Sequence, residues 1–477
     1  MIGWIILAAV AALIAVLLIR AAMFKPVKPN YPAHEEIAVD KDAAAQRFAQ
    51  MVRIPTVSNE DESLVDEAQF EKFRQLLTKM YPNVHQKCMP QYIGTKGILF
   101  SWKGKSSAES SVLMAHFDVV PVEEAEWKHP PFCGEIFDGE LWGRGTLDTK
   151  ITIFGTLETA EKLIADGFVP ENDIYMAFGG DEEVAGHGAI DIVDYFKKNG
   201  ITPALVIDEG GAVVQGVFPG VKEPMAVVGI GEKGMMNVSI TAKGEGGHAS
   251  HPVLPSTVGT MCRAVVNCEA HPMPAHITLA FREMTKAVGP YSSFGLKVVF
   301  ANLWCFGGLL CTLANKLGSE MNAMLRTTFA FTQAKGSLQN NVMANEATAG
   351  LNVRMVNNDT AESTRQYIEK CIDNKNVDVK IVMSREASPY SATQGEHWDK
   401  LSAAIANTWQ GCIVSPYLMI ACSDSRNYNG FCKDIYKFSA MALTAEQRGL
   451  IHNSNERIPV TEIAKTIEFY TRLVKSL

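Results

Sequence analysis

The chain has 477 residues, 47% of them hydrophobic and 20% charged, which allows two or three domains with cores of their own and argues against disorder. Its net charge of −8, with no basic run, gives a nucleic-acid role little electrostatic support. The 10 cysteines are scattered singly with no C-x-x-C pair, which argues against structural zinc and a disulfide framework. In apolar surroundings such as those of Cys262, Cys311 and Cys412, they read as buried free thiols.

From Ile2 to Ile19 no residue is charged, a length sufficient for a membrane span. A cleaved signal peptide is the competing reading. It would have a basic start and a small-x-small cleavage site, whereas here no basic residue precedes the run and Arg20 follows it directly. A single-pass anchor over residues 1–22 is therefore expected. Arg20, Lys25 and Lys28 place the following side in the cytoplasm by the positive-inside rule, but three charges are too few to settle the side. The Pro-rich stretch KPVKPNYPAHEE lies in a spacer over 23–39.

Beyond the spacer, apolar β-type runs alternate with helix-like stretches: SSVLMAH, ITIFGTLETAEKLIADG, DIYMAFGG, GAIDIVDYFKKNG and PALVIDEGG. That order predicts an α/β catalytic domain, first part 40–236, whose central, mostly parallel sheet is flanked by helices. Residues 237–353 change to alternating and Gly-rich patterns and are expected to form an inserted smaller α+β domain. Residues 354–477 would return to the first. Within the insertion, Val298–Leu313 is apolar but short, and Asn302 and a Gly pair interrupt it. A buried helix, an oligomer contact or an acyl-binding wall is expected there rather than a second span.

Histidine and acidic residues directly follow the apolar runs: His116 and Asp118, Asp148, Glu182 and Glu183, Asp208 and Glu209. Open α/β sheets bind ligands beyond the carboxyl ends of their strands, so these residues could share one crevice. Imidazole with several carboxylates suits zinc, manganese or cobalt in a catalytic site. Two metals need a shared carboxylate and roughly two further protein ligands each. His116, Asp148, Glu183 and Asp208 leave that set one ligand short, and His452 in IHNSNERIP supplies a late histidine.

The motifs HFDVVPV, GRGTLDTK, GGDEEVAGHGA, VIDEGG, GHASHP and HNSNERIP resemble the di-zinc amidohydrolase family of aminoacylase, acetylornithine deacetylase, succinyl-diaminopimelate desuccinylase and glutamate carboxypeptidase. ANLWCFGGLL, MNAMLRTTFAFT and SDSRNY are most similar to its carboxypeptidase S and N-fatty-acyl-amino-acid synthase/hydrolase branch. The resemblance runs from about residue 40 to the C-terminus.

It implies two Zn2+, with Mn2+ or Co2+ as substitutes. His116 and Asp208 would hold one metal, Glu183 and His452 the other, with Asp148 between them. Glu182 would be the general base for an attacking water, and Asp118 would orient the His116 ring. His248 would reach the active site of a partner subunit, in a homodimer formed through the inserted lid domain, and stabilise the oxyanion. Asn341 and Arg354 would contact the oxyanion and the substrate carboxylate. Glu209 is the alternative to Asp208. Asp181 reads as a solvated turn acid or a backbone acceptor, and His129, His187 and His251 match no ligand position.

Two departures, Ala344 where proline is common and Ala421-Cys422-Ser423 where Gly-Gly-Thr is usual, fall on substrate loops. The expectation is a membrane-anchored hydrolase that cleaves an amide, reversibly, to release a free amino acid from a peptide or an N-acyl amino acid. A non-catalytic tethered binding protein is the competing class, and no catalytic or metal position is lost in its favour.

Overall fold

The computed structural model describes every residue except 28–30, 32–35, 217, 219 and 317, so Lys28 and part of the spacer lie outside the described residues. The α/β architecture expected from the alternating runs is present. Eight strands form the main sheet in the order Gln91–Ile93, Gly97–Trp102, Asn172–Gly179, Ser106–His116, Leu205–Val214, Asp434–Leu443, Met225–Glu232 and Ile413–Met419. The four from Asn172–Gly179 to Asp434–Leu443 are mutually parallel, and Gly97–Trp102 runs against them.

These parallel strands are apolar on both faces because both faces are covered. Along Ser106–His116, Leu113 and Ala115 enter one core and Val112 and Met114 the other. The first core is closed by the helices Lys41–Val52, Lys150–Ala165 and Val460–Ser476, the second by Gly188–Lys198. After Asn172–Gly179 the chain crosses over Ser106–His116 and enters the sheet on its other side at Leu205–Val214. The strand order reverses there, and ligand crevices open at such points.

A second sheet of four strands is antiparallel, in the order Thr328–Lys335, Glu346–Met355, Gly234–Lys243 and Val377–Arg385. Gly234–Lys243 alternates buried and half-buried residues, as a sheet covered on one face requires. The helices Thr257–Ala270 and Ala361–Ile372 close that face over Val238, Ile240, Leu351 and Val353. Helix Ala361–Ile372 and strand Val377–Arg385 thus lie on this sheet although they follow residue 353, because Val377–Arg385 pairs along the free edge of Gly234–Lys243. Conversely, helix Leu279–Val288 buries Ala280, Phe281, Met284 and Val288 in the main core.

Helix Ile2–Met23 is long and apolar enough to cross a membrane, and it buries only Ala21. The stretch around Val298–Leu313 forms two helices, Phe294–Phe300 and Leu303–Leu313, bent by 100° at the break between them. All ten cysteines are free. Cys262, expected inside, is exposed, and Cys311 and Cys412 are half-buried, because local apolar sequence does not say which face of a helix or loop turns inward.

Close packing of Lys150–Ala165 against Val460–Ser476 depends on Gly155. A β-carbon there would lie 2.5 Å from Thr466 Cγ2 and 3.0 Å from Tyr470 Cδ2. Gly155→Leu is expected to destabilise the main domain by about 1–3 kcal/mol, read as a lowered urea midpoint at unchanged slope.

Candidate metal centre

The parallel strands Ser106–His116, Asn172–Gly179 and Leu205–Val214 deliver His116, the acidic turn 181–183 and Glu209, while Asp148 follows Glu140–Trp142 of a small antiparallel sheet and His452 comes from the C-terminal region. His116 ends its strand and is buried, with Nδ1 3.0 Å from the Asp118 carbonyl and 3.3 Å from the Asp118 carboxylate. That contact leaves Nε2 facing the crevice, as the ring of a metal ligand must. Nε2 lies 2.9 Å from Asp148 Oδ1 and 3.2 Å from Glu209 Oε1. The other oxygen of Asp148 is 3.1 Å from His452 Nε2, and Glu183 Oε2 is 3.1 Å from the same nitrogen. One carboxylate therefore stands between two imidazoles with one oxygen toward each. His452 occupies the left-handed region at φ 62°, a conformation that is uncommon for a residue with a β-carbon.

Asp118 does more than face a ring. Its carboxylate accepts hydrogen bonds from the Glu182 and Glu183 amides at 3.1 Å each and from the Ser58 hydroxyl at 2.8 Å. The strand end carrying His116 and the acidic turn 181–183 are thereby held together. In that turn, Asp181 accepts from the amides of His187 and Gly188 at 2.8 and 3.0 Å, which makes it a backbone acceptor. The preceding Gly pair provides room rather than a special bend. A β-carbon on Gly180 would sit 2.6 Å from the Phe117 ring.

At VIDEGG the two acids separate. The expected ligand, Asp208, has both carboxylate oxygens on backbone amides, Oδ1 on Glu209 at 2.9 Å and Oδ2 on Ser425 at 2.8 Å. The acid that faces His116 is Glu209. Neighbouring side chains on an extended strand point to opposite sides, which separates the surroundings of this pair. Asp208 anchors the loop around SDSRNY. That loop is also held by buried Glu232, which accepts from the Ser423 hydroxyl at 3.0 Å and lies 3.5 Å from Lys437 Nζ.

Arg144 and Glu456 were not singled out in the sequence, although both sit inside the ligand motifs. Buried Glu456 accepts from Arg144 Nη1 at 2.8 Å and from the amides of Gly145 and Leu147 at 3.1 and 2.7 Å. Arg144 also donates to the Asn453 and His452 carbonyls at 3.1 and 3.4 Å. The pair clamps the loop of Asp148 to the loop of His452. Opposite charges in GRGTLD and HNSNERIP were the available signal.

His248, Asn341 and Arg354 lie apart from this cluster. His248 is exposed in a short strand paired with Val342–Met343, its ring 2.7 Å from the Ser250 hydroxyl, and the Asn341 carbonyl accepts from the neighbouring Ala249 amide at 3.0 Å. His248 and Asn341 are thus brought together, and among the described residues neither touches the His116 cluster. Arg354 donates to Asn352 Oδ1 at 3.1 Å and approaches Cys422 Sγ at 3.3 Å, so it spans from the second sheet to the loop that Asp208 anchors.

The electrostatics fit a cation. Two ligand sets converge within 4.8 Å, His116 with Asp148 and Glu183, and His116 with Glu182 and Glu209. Burial, aided by the negative charge of Asp148, pushes the Glu209 carboxyl up to about 8. Burial likewise raises Glu182 well above the ordinary carboxylate range. Hydrogen bonds that the His452 ring donates to the Asp148 and Glu183 carboxylates raise it to about 10. Acids that resist ionisation beside imidazoles that hold their protons show a site short of positive charge, which divalent ions would supply. Donor atoms 2.9–3.2 Å apart are close to the edge of a tetrahedron around zinc, about 3.3 Å for ligands at about 2.0 Å, and the set of imidazole and carboxylate without thiolate suits zinc, manganese or cobalt.

With this geometry in place, the comparisons become specific. A family model described as peptidase family M20/M25/M40 matches residues 112–476. A probable carboxypeptidase S-like protein of Dictyostelium discoideum is 33% identical over 440 residues, covering 91% of this chain and 84% of that protein. An N-fatty-acyl-amino acid synthase/hydrolase of Xenopus tropicalis is 32% identical, covering 98% of this chain and 94% of that protein. Among solved structures, an M20 family metallo-carboxypeptidase from Sulfolobus solfataricus superposes with a TM-score of 0.64 at 16% identity, covering 92% of this chain and 99% of that one. The dipeptidase Dug1p of Saccharomyces cerevisiae also gives 0.64, at 12% identity over 96% of this chain and 97% of that one. The cluster of imidazoles and carboxylates therefore stands in a chain that belongs to peptidase family M20/M25/M40 and is an amide-bond hydrolase.

Proposed function

We propose that this chain is a membrane-anchored hydrolase that uses two divalent metal ions to release a free amino acid from an N-acyl amino acid or from the C-terminus of a peptide. The observation that carries this reading is the Asp148 carboxylate between His116 and His452, with Glu182 and Glu183 beside it. His116 and Glu209 would hold one ion, Glu183 and His452 the other, and Asp148 would contribute an oxygen to each. Asp208, with both oxygens on amides, holds the neighbouring loop instead. When bound, such ions polarise an amide carbonyl and make water acidic enough to attack at neutral pH.

Glu182 takes the proton from the attacking water and passes it to the departing amine as the C–N bond breaks. Its raised carboxyl suits both directions of transfer, since burial makes it a better base than a solvated glutamate. Asp118 keeps His116 and the Glu182 backbone in place. Arg354, which meets Asn352 and Cys422, is offered to the carboxylate of the substrate, and a guanidinium can bind that group through two parallel hydrogen bonds. His248 and Asn341 lie on a rim away from their own cluster, which supports a role in closing the cluster of a second subunit in a homodimer. The apolar helix Ile2–Met23 and the name of the Xenopus tropicalis relative both favour long acyl groups in the substrate.

A panel of dipeptides and N-acyl amino acids of increasing chain length tests the reading. Release of amino acid is expected to stop with a chelator and return with added zinc, and to be strongest on long acyl chains. Good turnover of dipeptides alone would overturn the acyl preference. Glu182→Gln is expected to lower kcat by about 10²–10⁴-fold at unchanged metal content, measured by metal analysis beside steady-state kinetics. Glu209→Gln is expected to lose about one metal ion per chain while Asp208→Asn retains both. The reverse pattern would return the ligand role to Asp208.

A further inference from the structure

Beside the C-terminal end of helix Ile2–Met23, the helices Phe294–Phe300 and Leu303–Leu313 present an apolar surface left open among the described residues. Phe294 is 55% exposed, Trp304 62% and Leu309 55%. From Val298 to Asn315 there is no charged residue, and no acid occurs between Glu283 and Glu320. Soluble domains seldom leave so many large apolar side chains together in water.

The pair is tied to the N-terminal helix by polar bonds at one level. Arg20 donates through Nε and Nη2 to the Ala301 carbonyl at 3.3 and 3.1 Å, and buried Asn302 donates through Nδ2 to the Leu17 carbonyl at 3.1 Å. The break between the two helices therefore sits at the last turn of the N-terminal one. A cavity of about 970 Å³ lies at this junction, with Arg20, Arg282 and Lys286 beside Leu303, Trp304 and Gly308. Cations next to apolar walls are what the boundary between anionic headgroups and acyl chains requires, and an exposed tryptophan is characteristic of that depth.

We infer that the bent pair 294–313 is a second, in-plane membrane contact. It lies in the headgroup region of the leaflet from which the N-terminal helix emerges, and it holds the enzyme against an anionic bilayer. The 100° bend is too sharp for one span, and Leu303–Leu313 alone is too short to cross, so the pair lies along the surface. This inference rests on the anchor reading of Ile2–Met23, because that helix sets the level of the pair.

Tryptophan quenching separates the two readings, since Trp4 lies in the N-terminal helix and Trp304 in the pair. The full chain is reconstituted into vesicles of brominated phosphatidylcholine with a minor share of phosphatidylglycerol, and unbrominated vesicles serve as reference. Trp4→Phe is expected to lose part of the quenching, Trp304→Phe another part, and the double variant nearly all of it, with hydrolysis of a soluble substrate unchanged. If Trp4→Phe alone removes all the quenching, the anchor stands and the second contact is overturned. If only Trp304→Phe removes it, the pair touches lipid while the anchor reading fails. If the wild-type chain shows none, both are overturned.

Discussion

A carboxylate taken out of water must be given donors or a cation, and the way each acid here meets that demand sorts its role. Asp118, Asp181, Asp208 and Glu456 have backbone amides aimed at them. Asp148, Glu183 and Glu209 have imidazole nitrogens instead, and Glu182 stands beside them. The amide donors on the first group tie loops to one another. The second group converges with the imidazoles in one crevice, a donor set that could hold a metal ion. Both DEE and DEG divide along this line, the first acid of each bonded to amides and the remaining acids turned to the crevice.

The amide-bonded acids also explain how loops far apart in sequence keep a common geometry. Asp118 joins the loops of His116 and Glu182, Glu456 with Arg144 joins those of Asp148 and His452, and Asp208 joins its own loop to the one at 423–427. Each clamp uses a buried charge, so cutting one leaves an uncompensated partner inside rather than merely a looser loop. The strained backbone of His452 is carried by the same arrangement, since Arg144 holds its carbonyl.

Around this centre the molecule separates into three environments. The main sheet is buried on both faces and supplies rigid strand ends. The second sheet is covered on one face only, and it brings Arg354 to the Asp208-anchored loop while leaving His248 exposed at its rim. The helices at 294–313 and the N-terminal helix gather the apolar surface at one place. The crevice, the one-sided sheet and the apolar helices thus rest on separate packing solutions, each with its own sequence character.

Much of this was legible in the sequence because it follows from local pattern. Continuous apolar runs announced strands buried on both faces, alternation announced a one-sided sheet, and eighteen uncharged residues announced the N-terminal helix. Histidines and acids placed directly after apolar runs marked the strand ends that converge. What sequence could not contain was direction. Whether Asp208 or Glu209 faces His116 depends on the twist of a strand and on an amide from Ser425, more than two hundred residues away. The edge strand Val377–Arg385 joins the second sheet because an edge was free, and Arg144 meets Glu456 because two distant loops are adjacent in space. The sequence by itself determined the class of fold and the inventory of ligands. The tertiary structure alone decided which side chains of that inventory meet backbone amides and which face the imidazoles of the crevice, because that partition depends on contacts between segments distant along the chain.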